Sequence, residues 1–126
     1  MRVLQHLHPA IIHFPIVLFL LTATARIFSK TIPAALIQLG LLLSIATGFL
    51  AIGTGLLAAS PLIWSAAPPV LRWHIAFAVS WWLMACYLYF DFDRDTPPSL
   101  LLWLAATLAI LGAGTLGGTM VHGFPV

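Results

Sequence analysis

The chain has 126 residues, 62% of them hydrophobic and 6% charged, with five Lys/Arg, three Asp/Glu and a formal net charge of +2. So few charges cannot clothe a water-soluble domain of this size, and +2 without a basic cluster excludes a nucleic-acid-binding surface. The composition is that of an integral membrane protein whose main partner is the lipid bilayer.

Four apolar stretches, over 9–28, 33–57, 69–90 and 99–121, are each long enough to cross a hydrocarbon core of about 30 Å, which takes about 20 helical residues. Pro, Ser and charged residues punctuate the connections between them. The stretches lack the alternation of barrel strands, and backbone groups in lipid need internal partners, so each is predicted to be a helix. The expected fold is all-α: a single four-helix transmembrane bundle over 1–126, with both termini on the same face.

At the start of the first stretch, Met1-Arg2 and the later Ala23-Thr24-Ala25 have the outline of a secretory signal. Three histidines and two prolines ahead of a long apolar run favour a retained span instead. Arg2 and Arg72 fall on the face of the termini, and Arg26, Lys30 and Arg94 on the other. The positive-inside rule therefore points the termini outward, to the periplasm from a multi-pass inner (cytoplasmic) membrane. Asp91, Asp93 and Asp95 gather after the third stretch and read as a solvated loop. No carboxylate is expected within a span, which argues against a carboxylate-driven pump or ion-coupled transporter. Cys86, midway along the third stretch, has no second cysteine to pair with and reads as a small buried hydrophobe.

The five histidines share one side of this topology. His6, His8 and His13 open the first helix, His74 opens the third and His122 closes the fourth. At about 1.5 Å of rise per residue, His13 lies ~6 Å inside a helix starting at Pro9, and His74 lies ~7 Å inside one starting at Pro69. Three helices thus bring an imidazole to similar depth, and an ionisable side chain there marks a functional site. His6 reads as a headgroup-level residue. His8, just before Pro9, reads as a cap-like residue, about 140° around an ideal helix from His13. Pro15 cannot donate to the carbonyl of Ile11 and is expected to kink the first turns and re-aim His13, which makes His13 the stronger ligand candidate of the two.

Small residues lie beneath these histidines. Gly114 and Gly118 are spaced at i, i+4 below His122, and Ser44, Gly48, Ala51 and Gly55 form a stripe on the second helix. Such faces serve close helix packing, and beside histidines they also let a flat porphyrin lie between helices with axial imidazoles from two of them. His13, His74, His122 and His8 are the candidate metal ligands. Gly114 and Gly118 are the candidate cofactor-binding face, and Arg72 is the candidate partner of a propionate.

HExxH, GxSxG, a Walker loop and CxxCH are all missing, so zinc protease, serine hydrolase, nucleotide-binding and c-type haem chemistry lose their usual motifs. Leu7-His8-Pro9 with His13-Phe14-Pro15, then His74, then Gly117-Gly118 and Val121-His122-Gly123 together resemble the bacterial membrane proteins of domain-of-unknown-function family 2231 over nearly the whole chain. The resemblance implies a histidine-bearing four-helix membrane domain linked to electron transfer, with any redox partner a separate subunit. The expectation is a small membrane electron carrier binding b-type haem near the outer face and exchanging electrons with a quinone, a redox partner subunit or a second copy of itself. The alternatives are a non-haem copper, zinc or iron site, and a structural or assembly subunit whose histidines only form hydrogen bonds.

Overall fold

The computed structural model describes the backbone of residues 8–65, 67–91 and 96–122, and their side chains except those of 61–66, 97 and 122. These residues form four long helices, α1 (His13–Ile27), α2 (Ala34–Ser65), α3 (Pro69–Asp91) and α4 (Pro97–His122), and no strand. A helical turn at 8–11 leads into α1 through Ile12, whose backbone is helical but where the regular hydrogen bonding loosens. Spans long and apolar enough to cross a membrane cover His8–Ile27, Ala34–Ser60, Pro69–Asp91 and Pro98–Val121.

Proline sets where the helices begin, because the first helical position has no intrahelical use for an N–H. The Pro33 carbonyl accepts the N–H of Leu36 at 3.0 Å, and the Pro68 carbonyl accepts those of Leu71 and Arg72 at 3.0 and 3.2 Å. Ahead of α4, Thr96 acts as the cap. Its carbonyl takes the N–H of Leu100 at 3.0 Å, and its hydroxyl takes that of Ser99 at 3.4 Å. The loosening at Ile12 lies one residue beyond Ile11, whose carbonyl Pro15 cannot serve.

Two boundaries differ from the sequence reading. The run Ala58-Ala59-Ser60-Pro61 looks like a loop, yet α2 continues through it to Ser65. Alanine favours the helix, the Ser60 hydroxyl bonds back to the Leu57 carbonyl at 2.9 Å, and an isolated proline is tolerated in a long membrane helix. Asp91 belongs to the last turn of α3 and is buried, not part of a solvated loop, while Asp93 and Asp95 lie outside the described residues.

The helices form a ring in chain order. α1 packs on α2 and α4, α3 packs on α2 and α4, and across the diagonals the described backbones stay apart, with large side chains such as Phe19 of α1 and Trp81 of α3 meeting in the middle. Small residues allow the close approaches. Thr22 of α1 sits on Gly40 of α2, where any Cβ would collide with its hydroxyl. Gly48 of α2 lies under Trp81 and Trp82 of α3, and the Trp82 indole donates to the Ile45 carbonyl at 3.0 Å.

Phe19 is the hub of the interior. It is fully buried, meets Trp81 edge-on at 5.6 Å and stacks on Trp103 at 5.7 Å. Ile37, Leu41, Ala85, Leu88 and Ala106 pack around these rings. The half of the bundle toward the α1–α2 turn is filled by these rings, with a second, more open space between α3 and α4 lined by Met84, Tyr87, Asp91 and Ser99, and its end holds two buried charged side chains, Arg26 and Asp91. Phe19→Ala removes the hub of the ring cluster and is expected to cost about 3–5 kcal/mol, read as a lowered unfolding midpoint in detergent.

Candidate functional site

Beyond Trp81 the ring of helices is hollow. A cavity of about 440 Å³ occupies the end where α2 finishes and α3 starts, and all four spans line it. Its walls are apolar, with Ile12 and Ile16 from α1 and the turn before it, Gly48 and Ala51 from α2, Ala78 from α3 and Ala113 from α4. Trp81 and Ile110 form the deep end, and two imidazoles, His8 and His74, face the space. A volume in the 300–1,000 Å³ range with apolar walls and a few convergent polar groups is the ordinary make-up of a small-molecule or cofactor site.

His74 is held by α3 and fastened to α4. Its Nδ1 lies 2.8 Å from the carbonyl of Ala113. A carbonyl only accepts, so Nδ1 carries the proton and donates, which leaves the lone pair of the neutral ring on Nε2. Gly117 makes the approach possible, since a Cβ there would stand 3.1 Å from the His74 Cε1.

His8 reaches the same tautomer by another route. Its Nδ1 is 3.3 Å from the Thr54 hydroxyl oxygen on α2. That hydroxyl has one proton, which goes to the carbonyl of Leu50 at 2.9 Å or Ala51 at 3.1 Å, so toward His8 the oxygen accepts. The His8 lone pair is likewise on Nε2. Gly55 provides the space, because a Cβ at that position would come within 2.7 Å of the His8 Cε1.

The two rings are 6.4 Å apart between centroids, with their planes crossed at 83°. Two imidazoles bound to one metal ion from opposite sides, at about 2.0–2.1 Å per metal–nitrogen bond, have centroids ~6 Å apart. The observed separation is of that size, and it is equally that of two rings in edge contact. A backbone carbonyl or hydroxyl on Nδ1 that fixes the tautomer and raises the basicity of Nε2 is the usual outer support of a metal-binding histidine.

The structure sorts the candidates from the sequence. His8 and His74 come together, and Gly114 lines the cavity. His13 does not join them: it is exposed on the outside of the bundle. The reason is helical phase. Pro15 is buried, and a residue two positions away lies ~200° around the helix, so His13 points away from the interior that Pro15 faces. The His122 backbone ends α4, and its side chain, like the whole of His6, lies outside the described residues. Gly118 is off the cavity wall with nothing near its Cα, whereas its neighbour Gly117 touches His74. Arg72 is exposed and donates from Nε to the Ala67 carbonyl at 2.9 Å, away from the cavity lining. Thr54 and Ala113 were missed, because a hydroxyl and a backbone carbonyl among many leave no mark in the sequence.

Among the described residues, no group of three or more His, Cys, Asp or Glu could hold a metal ion together. The chain matches no family model, no curated protein and no solved structure. Its site is therefore read from its own chemistry.

Proposed function

We propose that the chain is a small integral membrane electron-transfer protein that binds b-type haem in this cavity, with His8 and His74 as the axial ligands. The observation that carries the reading is the pair itself: two imidazoles 6.4 Å apart at an apolar cavity, His74 with Nδ1 committed to the Ala113 carbonyl and His8 with Nδ1 beside the Thr54 hydroxyl. Haem needs two protein ligands when the porphyrin supplies the other four nitrogens, so a pair is a complete set. A tetrahedral zinc or copper site wants three or four ligands, and a bare ion gains nothing from a cavity of about 440 Å³. The small faces of Gly48, Ala51, Gly114 and Gly117 suit a flat ring, as does an apolar lining with no charged side chain among the described residues.

In this reading the chain's own residues do three things. His8 and His74 fix the iron and keep both axial positions filled, which favours electron transfer over substrate activation. Thr54 and Ala113 hold the imidazoles in the ligand tautomer. The apolar wall sets the potential by keeping water away from the ring. Electrons pass between a quinone in the bilayer and a separate redox subunit. The resemblance to family 2231 carries the same expectation of a redox role.

The reading is tested by purifying the chain in detergent from haem-replete cells and recording absorption before and after dithionite. Sharp low-spin ferrous bands are expected. A colourless preparation that also fails to take up added hemin contradicts the reading, and one carrying stoichiometric copper, zinc or iron without haem favours the bare-metal alternative.

A further inference from the structure

The two histidines are held very unequally. His74 sits within α3, with helix on both sides, and its Nδ1 hydrogen bond to the Ala113 carbonyl is short, at 2.8 Å. His8 sits in the first turn of the span His8–Ile27, where the helical hydrogen bonding loosens around Ile12 although the backbone stays helical. Its carbonyl takes the Ile12 N–H at 3.1 Å, and its Nδ1 contact with Thr54 is long, at 3.3 Å. A stronger hydrogen bond on Nδ1 makes Nε2 the more basic ligand, so His74 is the firm axial donor and His8 the weak one.

The surroundings of His8 also bear on what can take its place. Around His8 the cavity is walled by Pro9, Ile12, Ala51, Ile52 and Leu56. Such a wall gives no charge to an anion and no strong hydrogen-bond donor to bound dioxygen, but it accepts a neutral, apolar molecule without penalty.

We infer that His8 is a displaceable ligand: on the reduced protein it yields its axial position to a neutral diatomic gas of the carbon monoxide class, while His74 stays bound. The inference rests on the haem reading above. The exchange moves no electrons. The bond from His8 Nε2 to iron breaks, a bond from the gas to iron forms, and the His8 ring leaves neutral with its proton still on Nδ1. The ring leaves from the first turn of its span, N-terminal to the stretch around Ile12 where Pro15 removes a helical hydrogen bond. The same cavity would then serve a second function, gas binding that reports on or interrupts electron transfer.

The test is carbon monoxide added to dithionite-reduced holoprotein in detergent, followed by absorption and stopped flow. In wild type the low-spin spectrum is expected to convert to that of a carbonyl complex, at a rate that levels off with rising gas because His8 must leave first. His8→Ala is expected to bind with a rate that stays proportional to gas concentration. Thr54→Val, which keeps His8 but removes its hydrogen-bond partner, is expected to raise the plateau rate at least threefold. Holoprotein with low-spin haem that ignores carbon monoxide overturns this inference and leaves the haem reading intact. So does a plateau unchanged in Thr54→Val, or one retained in His8→Ala. A preparation with no haem overturns both.

Discussion

His74→Ala is expected to abolish stable haem binding, whereas His8→Ala is expected to keep haem but convert it from the low-spin to the high-spin spectrum. The asymmetry follows from how the rings are held. His74 is anchored by α3 and by the Ala113 carbonyl, so its loss removes the ligand around which the cavity is organised. Losing even an outer hydrogen-bond partner of a metal-binding histidine typically costs about 10–100-fold in affinity, and losing the ligand itself costs more. His13→Ala is the matched control. His13 is exposed and away from the cavity, so occupancy and spectrum are expected to stay at wild-type values. Hemin titration of the three purified variants, read at the Soret band, checks all three outcomes.

The second large effect belongs to a glycine. Gly117→Leu is expected to reduce haem occupancy at least tenfold, and Gly118→Leu, one residue along, is expected to leave it unchanged. A Cβ at 117 already stands 3.1 Å from the His74 Cε1, so a branched side chain must push the imidazole off its hydrogen bond to Ala113. At 118 there is open space. Gly55→Leu repeats the experiment on the other ring, since a Cβ there lies within 2.7 Å of the His8 Cε1. Because His8 sits in the first turn of its span, that variant is expected to resemble His8→Ala in its spectrum rather than to lose haem.

The four spans were legible because they depend on composition, and nearly every residue of an apolar run votes the same way. The starts of the second and third helices were legible because Pro33 and Pro69 each signal a first turn, whereas the fourth was read from Ser99 and begins at Pro97, where Thr96 caps it. The stripe Gly48, Ala51 and Gly55 was legible for a similar reason, as its spacing alone puts the three on one face, and all three line the cavity. What failed was rotational phase near helix ends. Depth counted from Pro9 put His13 level with His74, but depth does not say which way a side chain points, and burial of Pro15 fixes His13 outward. On α4 the stripe was counted from His122 through Gly118 and Gly114, whereas the wall facing the cavity runs through Ile110, Ala113, Gly114 and Gly117. One residue of phase, about 100° on a helix, separated Gly118 from the glycine that touches the imidazole. The tertiary supports were out of reach in principle, because nothing in sequence joins His8 to Thr54 or His74 to Ala113, 46 and 39 residues away.

The crossed rings allow the central claim to be tested on the intact protein. Two imidazoles holding one haem iron with their planes 83° apart would each raise a different one of the two iron orbitals they overlap, and a ferric low-spin centre of that kind would have a strongly anisotropic magnetic signal. Low-temperature electron paramagnetic resonance of the oxidised wild-type protein is expected to show that signal, from one haem iron per chain, and to lose it in His8→Ala. A high-spin wild-type spectrum, a four-line copper spectrum or a protein without paramagnetic iron contradicts the account of His8 and His74 as one axial pair.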